Sequence, residues 1–379
     1  DSSFAGETTA QGNQDGNDIG DFYYTPPSGF LALCTSNLPA VAVTPSEHFN
    51  TILYTNASSG IESWTGVGFQ PDLVWIKCRE AAESHSVNDA VRGTSKRLQS
   101  NSSAAEDAGG ITAFNSDGFS TSDGYGSDGD GSGHDFVVWN WKANGSGSAN
   151  TVGDIDSTVS VNTDAGFSIV SYEGSGSAET VGHGLGVIPE IVIIKNRERS
   201  AQWMVYHEDI GATKFVELST TAAESTDAAF NDTAPTATVF SVGGSSNATN
   251  ASGEDLIAYC WHSVDGFSKV SSYVGNADAD GPFVYTGFRP AYVILKASTQ
   301  ATGWAVKDNA RDTYNEKTTT SFPDTNIVEY SSSSSSDHFI DFVSNGFKIR
   351  NTNGRFNTSG QTYIYIAFAE TPFKYSNAR

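Results

Sequence analysis

The stretch Pro189-Glu-Ile-Val-Ile-Ile-Lys195 is the strongest structural signal in this chain. It opens with a proline and continues with residues of high strand propensity that are apolar at consecutive positions. A proline can begin a strand, because its missing N–H then lies outside the hydrogen-bonded ladder. Apolar residues at consecutive positions are typical of a strand that is covered on both faces. We therefore predict a central strand over 190–196, between two covered surfaces.

The same pattern occurs twice more in the chain. Pro71-Asp-Leu-Val-Trp-Ile-Lys77 lies 118 residues earlier, and Pro290-Ala-Tyr-Val-Ile-Leu-Lys296 lies 101 residues later. Other landmarks keep similar offsets, namely the strand starts Phe49, Phe167 and Phe267 and the closing runs Phe136–Trp141, Leu256–Trp261 and Tyr363–Phe368. Ordered agreement at several landmarks indicates an internal repeat. The sequence thus predicts three copies of one structural unit.

Each copy holds short strand-like runs separated by Gly, Ser, Asn and Asp, without a convincing helical period. This pattern predicts an all-β fold of tandem antiparallel β-sandwich repeats, of the jelly-roll or concanavalin-like kind. The predicted divisions are an N-terminal segment over 1–40 and β-sandwich repeats over 41–150, 151–265 and 266–379. Because the connections are short, we expect a stiff rod. The alternating run Tyr363-Ile-Tyr-Ile366 predicts a half-exposed strand.

Composition narrows the range of partners. The 379 residues contain 21 Lys plus Arg and 44 Asp plus Glu, which gives a formal net charge of −23. Such a field repels nucleic-acid phosphates and anionic lipids, so neither is an expected partner. No apolar run approaches the roughly 18 residues that a membrane span requires, so we expect no membrane insertion.

Motifs for covalent chemistry are missing from the sequence. It has no Gly-x-Ser-x-Gly elbow, no phosphate-binding Gly-rich loop and no His-Glu-x-x-His zinc motif. Asp89 and Arg92 in the first copy match Asp308 and Arg311 in the third, three residues apart in each case. We interpret both as structural ion pairs that fix a loop after a strand. The sequence predicts a protein that is not an enzyme.

Aromatic residues near turns are the candidate binding residues: Trp64, Tyr125, Trp203, Trp304 and Tyr314. An aromatic face can cover the C–H groups of a sugar while neighbouring amides bind its hydroxyls. Packing in the core or between subunits is the alternative interpretation.

An acidic, glycine-rich loop is the candidate metal site. It contains Asp123, Asp128, Asp130 and Asp135, and calcium is the ion that carboxylate oxygens of this kind would hold. The spacing differs from that of a helix-loop-helix calcium loop, so a flexible acidic loop without metal is the alternative. No other cofactor is predicted.

A resemblance emerges from these motifs. The stretches Gly68-Phe-Gln-Pro-Asp-Leu-Val-Trp-Ile-Lys77, Gly287-Phe-Arg-Pro290 and 367–379 resemble the C-terminal regions of fibre-like structural proteins of tailed phages, frequent among marine and cyanobacterial phages. The stretch 24–33 resembles the end of a SPRY-like β-sandwich. This resemblance implies that residues 1–40 end an upstream SPRY-like domain.

The resemblance also implies a function and a location. We expect a virion or extracellular structural protein, a tail fibre or spike component that attaches to a glycan or protein of the host surface. Its expected partners are other virion proteins and, as in many virion fibres, two further copies in a homotrimer. The alternatives are a capsid decoration or self-assembling extracellular filament subunit and, third, a polysaccharide depolymerase.

Overall fold

The computed structural model describes residues 11–34, 37, 43–56, 60–121, 133–244, 246–331 and 338–371. Its secondary structure is nearly all β, in several antiparallel sheets, which confirms the predicted all-β sandwich class. The helices whose bounds lie within the described residues are single turns: α1 (Asn247–Asn250), α2 (Gly354–Asn357) and the 3₁₀ turns Pro45–Glu47 and Ala228–Phe230. None of these described helices is long and apolar enough to cross a membrane.

We group the strands by the three predicted copies and call the groups the first, second and third unit, with β10 placed beside its partner β11 in the second. The first unit has β1 (Phe49–Thr55), β2 (Glu62–Thr65), β3 (Leu73–Cys78), β4 (Ser86–Asp89), β5 (Lys96–Arg97), β6 (Asp107–Ala108), β7 (Ile111–Asn115), β8 (Gly118–Thr121) and β9 (Asp135–Trp141). The second has β10 (Ser148–Asn150), β11 (Ser157–Asn162), β12 (Phe167–Glu173), β13 (Glu179–Gly182), β14 (Ile191–Asn196), β15 (Met204–His207), β16 (Lys214–Glu217), β17 (Ser225–Thr226), β18 (Val239–Val242) and β19 (Asp255–Trp261). The third has β20 (Ser268–Val274), β21 (Phe283–Tyr285), β22 (Arg289–Ala297), β23 (Ala305–Asp308), β24 (Thr319–Thr320), β25 (Tyr330–Ser331), β26 (Ile340–Val343), β27 (Gly346–Ile349) and β28 (Thr362–Thr371).

Each unit contributes one main sheet, and the three main sheets share a strand order. The order is β1-β9-β3-β4 in the first unit, β12-β19-β14-β15 within an eight-stranded sheet in the second, and β20-β28-β22-β23 in the third. In each, the closing strand lies between the opening strand and the apolar strand that follows Pro71 in the first unit, follows Pro189 in the second and contains Pro290 in the third. Smaller sheets, β2-β8-β7, β13-β18 and β21-β27-β26, form the second layers. The predicted boundary at 150 cuts a hairpin, because β10 pairs with β11.

The central strands of the main sheets are buried on both faces. In β14, Val192 and Ile194 belong to a core within the second unit, whereas Ile191 and Ile193 belong to a core that all three units share. The prediction of a strand covered on both sides is therefore confirmed. The half-exposed strand predicted at Tyr363–Ile366 is wrong, because all four residues are buried in the same two-sided way.

The shared core lies where the three main sheets meet. It contains six tryptophans drawn from all three units: Trp75, Trp139, Trp141, Trp203, Trp261 and Trp304. Aromatic rings contact across unit boundaries, as when Phe49 stacks on Phe368 at a centroid distance of 4.9 Å. The expectation of a stiff rod is wrong, because the units pack around a common apolar centre instead of following one another in a line.

Hydrogen bonds close this arrangement into a ring. Three side chains at corresponding places, just before the fourth strand of each main sheet, donate to a backbone carbonyl of another unit. These bonds are His85 Nε2 to Phe322 O (3.0 Å), Trp203 Nε1 to Gln99 O (2.9 Å) and Trp304 Nε1 to Glu217 O (2.8 Å). The first unit thus contacts the third, the second contacts the first, and the third contacts the second.

Backbone hydrogen bonds repeat the same cycle. They run from Glu106 N to Arg197 O (2.7 Å), from Glu224 N to Ser298 O (2.7 Å) and from Glu329 N to Arg79 O (2.9 Å). Because every boundary has its own bonds, each unit is held on two sides, and the loops that the ring displays have a rigid support.

Candidate functional site

An open groove of about 360 Å³ lies on the second unit. This volume falls in the range of small-molecule pockets, roughly 300–1,000 Å³. Its lining comes from the loop before β15, from β15 and β16, from Asp227 and from the start of α1. The lining residues are Arg199, Ser200, Ala201, Gln202, Met204, Phe215, Glu217, Asp227, Ser246, Asn247 and Ala248. We call it the second-unit groove.

The floor of the second-unit groove is apolar. Met204 and Phe215 lie on the adjacent strands β15 and β16 and belong to the core of the second unit, with 5% and 7% of their surface exposed. Ala248, at the start of α1, packs against the same core and has the smallest side chain that a chiral residue can offer. A ligand in the groove would therefore meet a small apolar surface between polar walls.

Amide groups form part of the walls. Gln202 Oε1 accepts a hydrogen bond from Ser219 Oγ at 2.6 Å, which fixes the side chain and leaves its amide nitrogen for a ligand. Asn247 is exposed, and no described residue hydrogen-bonds to its side-chain amide. These amides can donate to and accept from the hydroxyl groups of a ligand.

The charged residues leave the groove negative. Glu217 Oε2 accepts from Thr220 Oγ1 at 2.8 Å, and Asp227 Oδ1 accepts from Ala228 N at 2.7 Å, so each carboxylate keeps one oxygen outside these bonds. Arg199 is paired with Glu254, whose hydrogen bonds raise the pKa of the guanidinium above its ordinary value. Since Glu254 balances Arg199, the two wall carboxylates determine the sign of the local field.

The predicted aromatic binding residues do not gather at this groove. Trp203 and Trp304 are 1% and 2% exposed, so the expectation that they present open ring faces is wrong. Both line the shared core, and their indole nitrogens bond to the neighbouring unit. Trp64 is half-buried and stacks on Tyr54 at a centroid distance of 3.8 Å. Tyr314 is 75% exposed, and Tyr125 lies outside the described residues.

The predicted calcium loop is described only at its end. Asp123, Asp128 and Asp130 lie outside the described residues. Asp135 begins β9, where its Oδ1 accepts from Thr55 Oγ1 at 2.6 Å and its Oδ2 lies 4.0 Å from Arg79 Nη1. Within the described part of the chain, no group of three His, Cys, Asp or Glu side chains could hold a metal ion.

The two Asp–Arg pairs lie at unit boundaries. Arg92 Nε donates to Asp89 Oδ2 at 2.5 Å, and Arg311 Nε donates to Asp308 Oδ2 at 2.7 Å. All four side chains are fully buried. Burial alone would lower the pKa of Arg92, but the Asp89 carboxylate raises it above its ordinary value. These residues join the units and do not face the groove.

A small cavity of about 30 Å³ lies inside the shared core. Residues of all three units line it, among them Trp75, Trp203 and Trp304, and its surface is entirely apolar. A bound water molecule needs two or more polar partners, which an apolar surface does not supply. It is a packing defect at the centre of the ring and offers no hydrogen bond to a ligand.

The fold and the groove define the class of protein. It is an all-β protein of packed antiparallel sandwiches with a shallow groove that has an apolar floor and polar walls. Within that class, the profile of the family described as Domain of unknown function (DUF7483) matches residues 44–372, and the chain belongs to this family. No curated protein matches the chain.

Proposed function

We propose that the chain is a non-enzymatic structural protein of a virion appendage, a tail fibre or spike component that attaches to a glycan or protein of the host surface. In this proposal it acts outside the cell beside other virion proteins, as a homotrimer, and the acidic loop holds calcium. The stretch 24–33 is then the end of an upstream SPRY-like domain.

The second-unit groove is the observation that carries the attachment proposal. It combines an apolar floor with amide and carboxylate walls, which suits a ligand that has both apolar and hydroxylated faces. The ring adds rigidity, because three boundaries fix the sheets on which the groove is built. The virion location is supported by the resemblance of the repeated Pro-initiated stretches to phage fibre proteins.

Two measurements test this proposal. Mass spectrometry of purified phage particles should find the chain, and the fluorescently labelled chain should adsorb to host cells in a saturable manner. Absence from particles together with absence of adsorption would overturn the proposal. Light scattering separates the assembly forms: a fixed trimer mass supports the fibre, whereas growth without limit at rising concentration supports the filament alternative.

A further inference from the structure

We propose that the second-unit groove binds a neutral saccharide, and that the third unit lacks this site because Arg355 fills the corresponding space. The inference rests on the proposed attachment function and names the ligand class of its site. One ring would then carry this site on the second unit and a closed counterpart on the third.

The second-unit groove and the equivalent position on the third unit are matched by a shared hydrogen bond. Tyr172 Oη donates to Thr249 O at 2.6 Å in the second unit, and Tyr273 Oη donates to Phe356 O at 2.8 Å in the third. Helices α1 and α2 therefore lie in the same position over their sheets. Ala248 and Arg355 each precede the residue whose carbonyl accepts this bond, so they occupy equivalent sites.

Arg355 occupies the space that is open beside Ala248. Its guanidinium carbon lies 4.4 Å from the ring centroid of Phe322, which takes the place of Glu217. Its Nη1 donates to Trp304 O at 2.6 Å and lies 3.8 Å from Asp324 Oδ1. These contacts hold the side chain across the position where the second unit has its groove.

Gly303 shows how tightly the third unit is filled. It holds the position of Gln202, and a Cβ atom built there would lie 2.4 Å from Arg355 Nη1 and 2.4 Å from Asp324 Oδ2. A side chain at Gly303 and the observed placement of Arg355 are therefore incompatible. The second unit has the opposite combination, a long side chain at Gln202 and a methyl group at Ala248, and its groove is open.

The lining selects the ligand class. Met204 and Phe215 can contact the C–H face of a pyranose ring, while Gln202 and Asn247 bind its hydroxyls. The net negative charge, with Arg199 already paired, repels carboxylated sugars such as sialic and uronic acids. A neutral hexose or N-acetylhexosamine has an apolar C–H face, hydroxyl groups for the amides to bind, and no negative charge.

The experiment uses the full chain and three single variants. A printed array of galactose, mannose, N-acetylglucosamine, sialic acid and glucuronic acid glycosides identifies a neutral sugar that binds, and calorimetry measures its affinity. We expect Ala248→Arg to weaken that affinity at least about tenfold and Ala248→Ser to keep it within about twofold, since only arginine fills the groove. Thermal unfolding verifies that each variant is folded. Gln202→Ala, which removes a wall amide without filling space, should also weaken binding.

Several outcomes would overturn the inference: no neutral sugar bound by the natural chain, a preference for the anionic sugars, or unchanged affinity in both Ala248→Arg and Gln202→Ala. Failure of the saccharide inference can be distinguished from failure of the proposed attachment function. Cells that adsorb Ala248→Arg as well as the natural chain would show attachment elsewhere on the ring. If the chain binds a neutral sugar but is absent from phage particles, the saccharide site is supported and the proposed virion role is contradicted.

Discussion

Tyr259 of the second unit donates a hydrogen bond from its phenolic hydroxyl to Asp89 Oδ2 of the first unit, over 2.7 Å. The same carboxylate oxygen accepts from Arg92 within its own unit. Trp139 Nε1 makes the corresponding bond to Asp308 Oδ2 of the third unit, at 3.1 Å. Two of the boundaries between units thus have the same arrangement, in which an aromatic side chain on a closing strand donates a hydrogen bond to the aspartate of a buried Asp–Arg pair. The pair orients the carboxylate, and the aromatic residue joins the neighbouring sheet to it.

Replacing Tyr259 by phenylalanine tests this arrangement. The variant Tyr259→Phe keeps the ring and loses the donor, so the buried carboxylate of Asp89 is left with fewer hydrogen bonds. We expect the free energy of unfolding to fall by about 1–3 kcal/mol. Urea unfolding followed by tryptophan fluorescence measures the change. Tyr314→Phe, at a side chain that is 75% exposed, is the matched control and should leave stability unchanged. Equal stability in both variants would contradict the role assigned to Tyr259.

The shared core predicts a single unfolding transition. Loss of one unit would expose apolar side chains such as Trp139, Trp261 and Phe368 on the remaining sheets, so unfolding of one unit destabilises the other two. We expect scanning calorimetry to show one peak whose calorimetric and van't Hoff enthalpies agree. Three separate peaks would instead indicate units that fold alone. A midpoint shift of the whole peak in Tyr259→Phe would provide independent support.

Three buried lysines at corresponding positions predict a pH dependence. Burial lowers the pKa of Lys77, Lys195 and Lys296 to about 8 from an ordinary value of 10.5. Each ammonium group donates to backbone carbonyls, as Lys195 Nζ does to Asn196 O at 2.5 Å. Between pH 8 and 10.5 the unfolded chain therefore binds protons that the folded chain has released. The contribution of these lysines to the free energy of unfolding must then rise with pH across this window.

Lys195→Met isolates one of these contributions. From pH 8 to pH 9.5 the natural chain should gain about 1–2 kcal/mol relative to this variant, because only the natural chain has the Lys195 proton to release. Urea unfolding at both pH values measures the difference. Lys269→Met, at a lysine that is not fully buried, controls for the loss of one positive charge. A stability difference that does not change with pH would contradict the lowered pKa of Lys195.

Local sequence was sufficient for the fold class and for the apolar strands next to Pro71 and Pro189 and around Pro290. Val192 and Ile193 point to opposite faces, and both faces are buried, so an uninterrupted apolar run identified the strand correctly. Tyr363 misled the prediction because a phenolic hydroxyl suggests exposure. In the structure that hydroxyl donates to Gly354 O at 2.7 Å and the residue is fully buried. The threefold repeat stays a prediction, which the matching strand orders support.

Neither the ring nor the groove follows from local pattern. Trp203 and Trp304 lie beside turns, which suggested open ring faces, and only the packing of a neighbouring unit shows that they are covered. The second-unit groove draws its lining from four separate segments, so no short motif contains it. The aligned copies nevertheless contained a signal of the groove, because Ala248 of the second copy aligns with Arg355 of the third. Its meaning depends on the position of the helix that carries it.

Gly118 offers a final test of how closely two neighbouring strands of one sheet approach. It begins β8 with a φ of +150°, and a Cβ atom built on it would lie 1.9 Å from the carbonyl oxygen of Trp64 on β2. Neither atom belongs to a flexible side chain, so Gly118→Ala must displace one strand of the smaller sheet. We expect a loss of about 1–3 kcal/mol, visible as a lower midpoint of thermal unfolding. Gly16→Ala, where nothing lies within 4 Å of the new methyl group, should leave the midpoint unchanged. Equal midpoints in the two variants would mean that β2 and β8 are not paired as described.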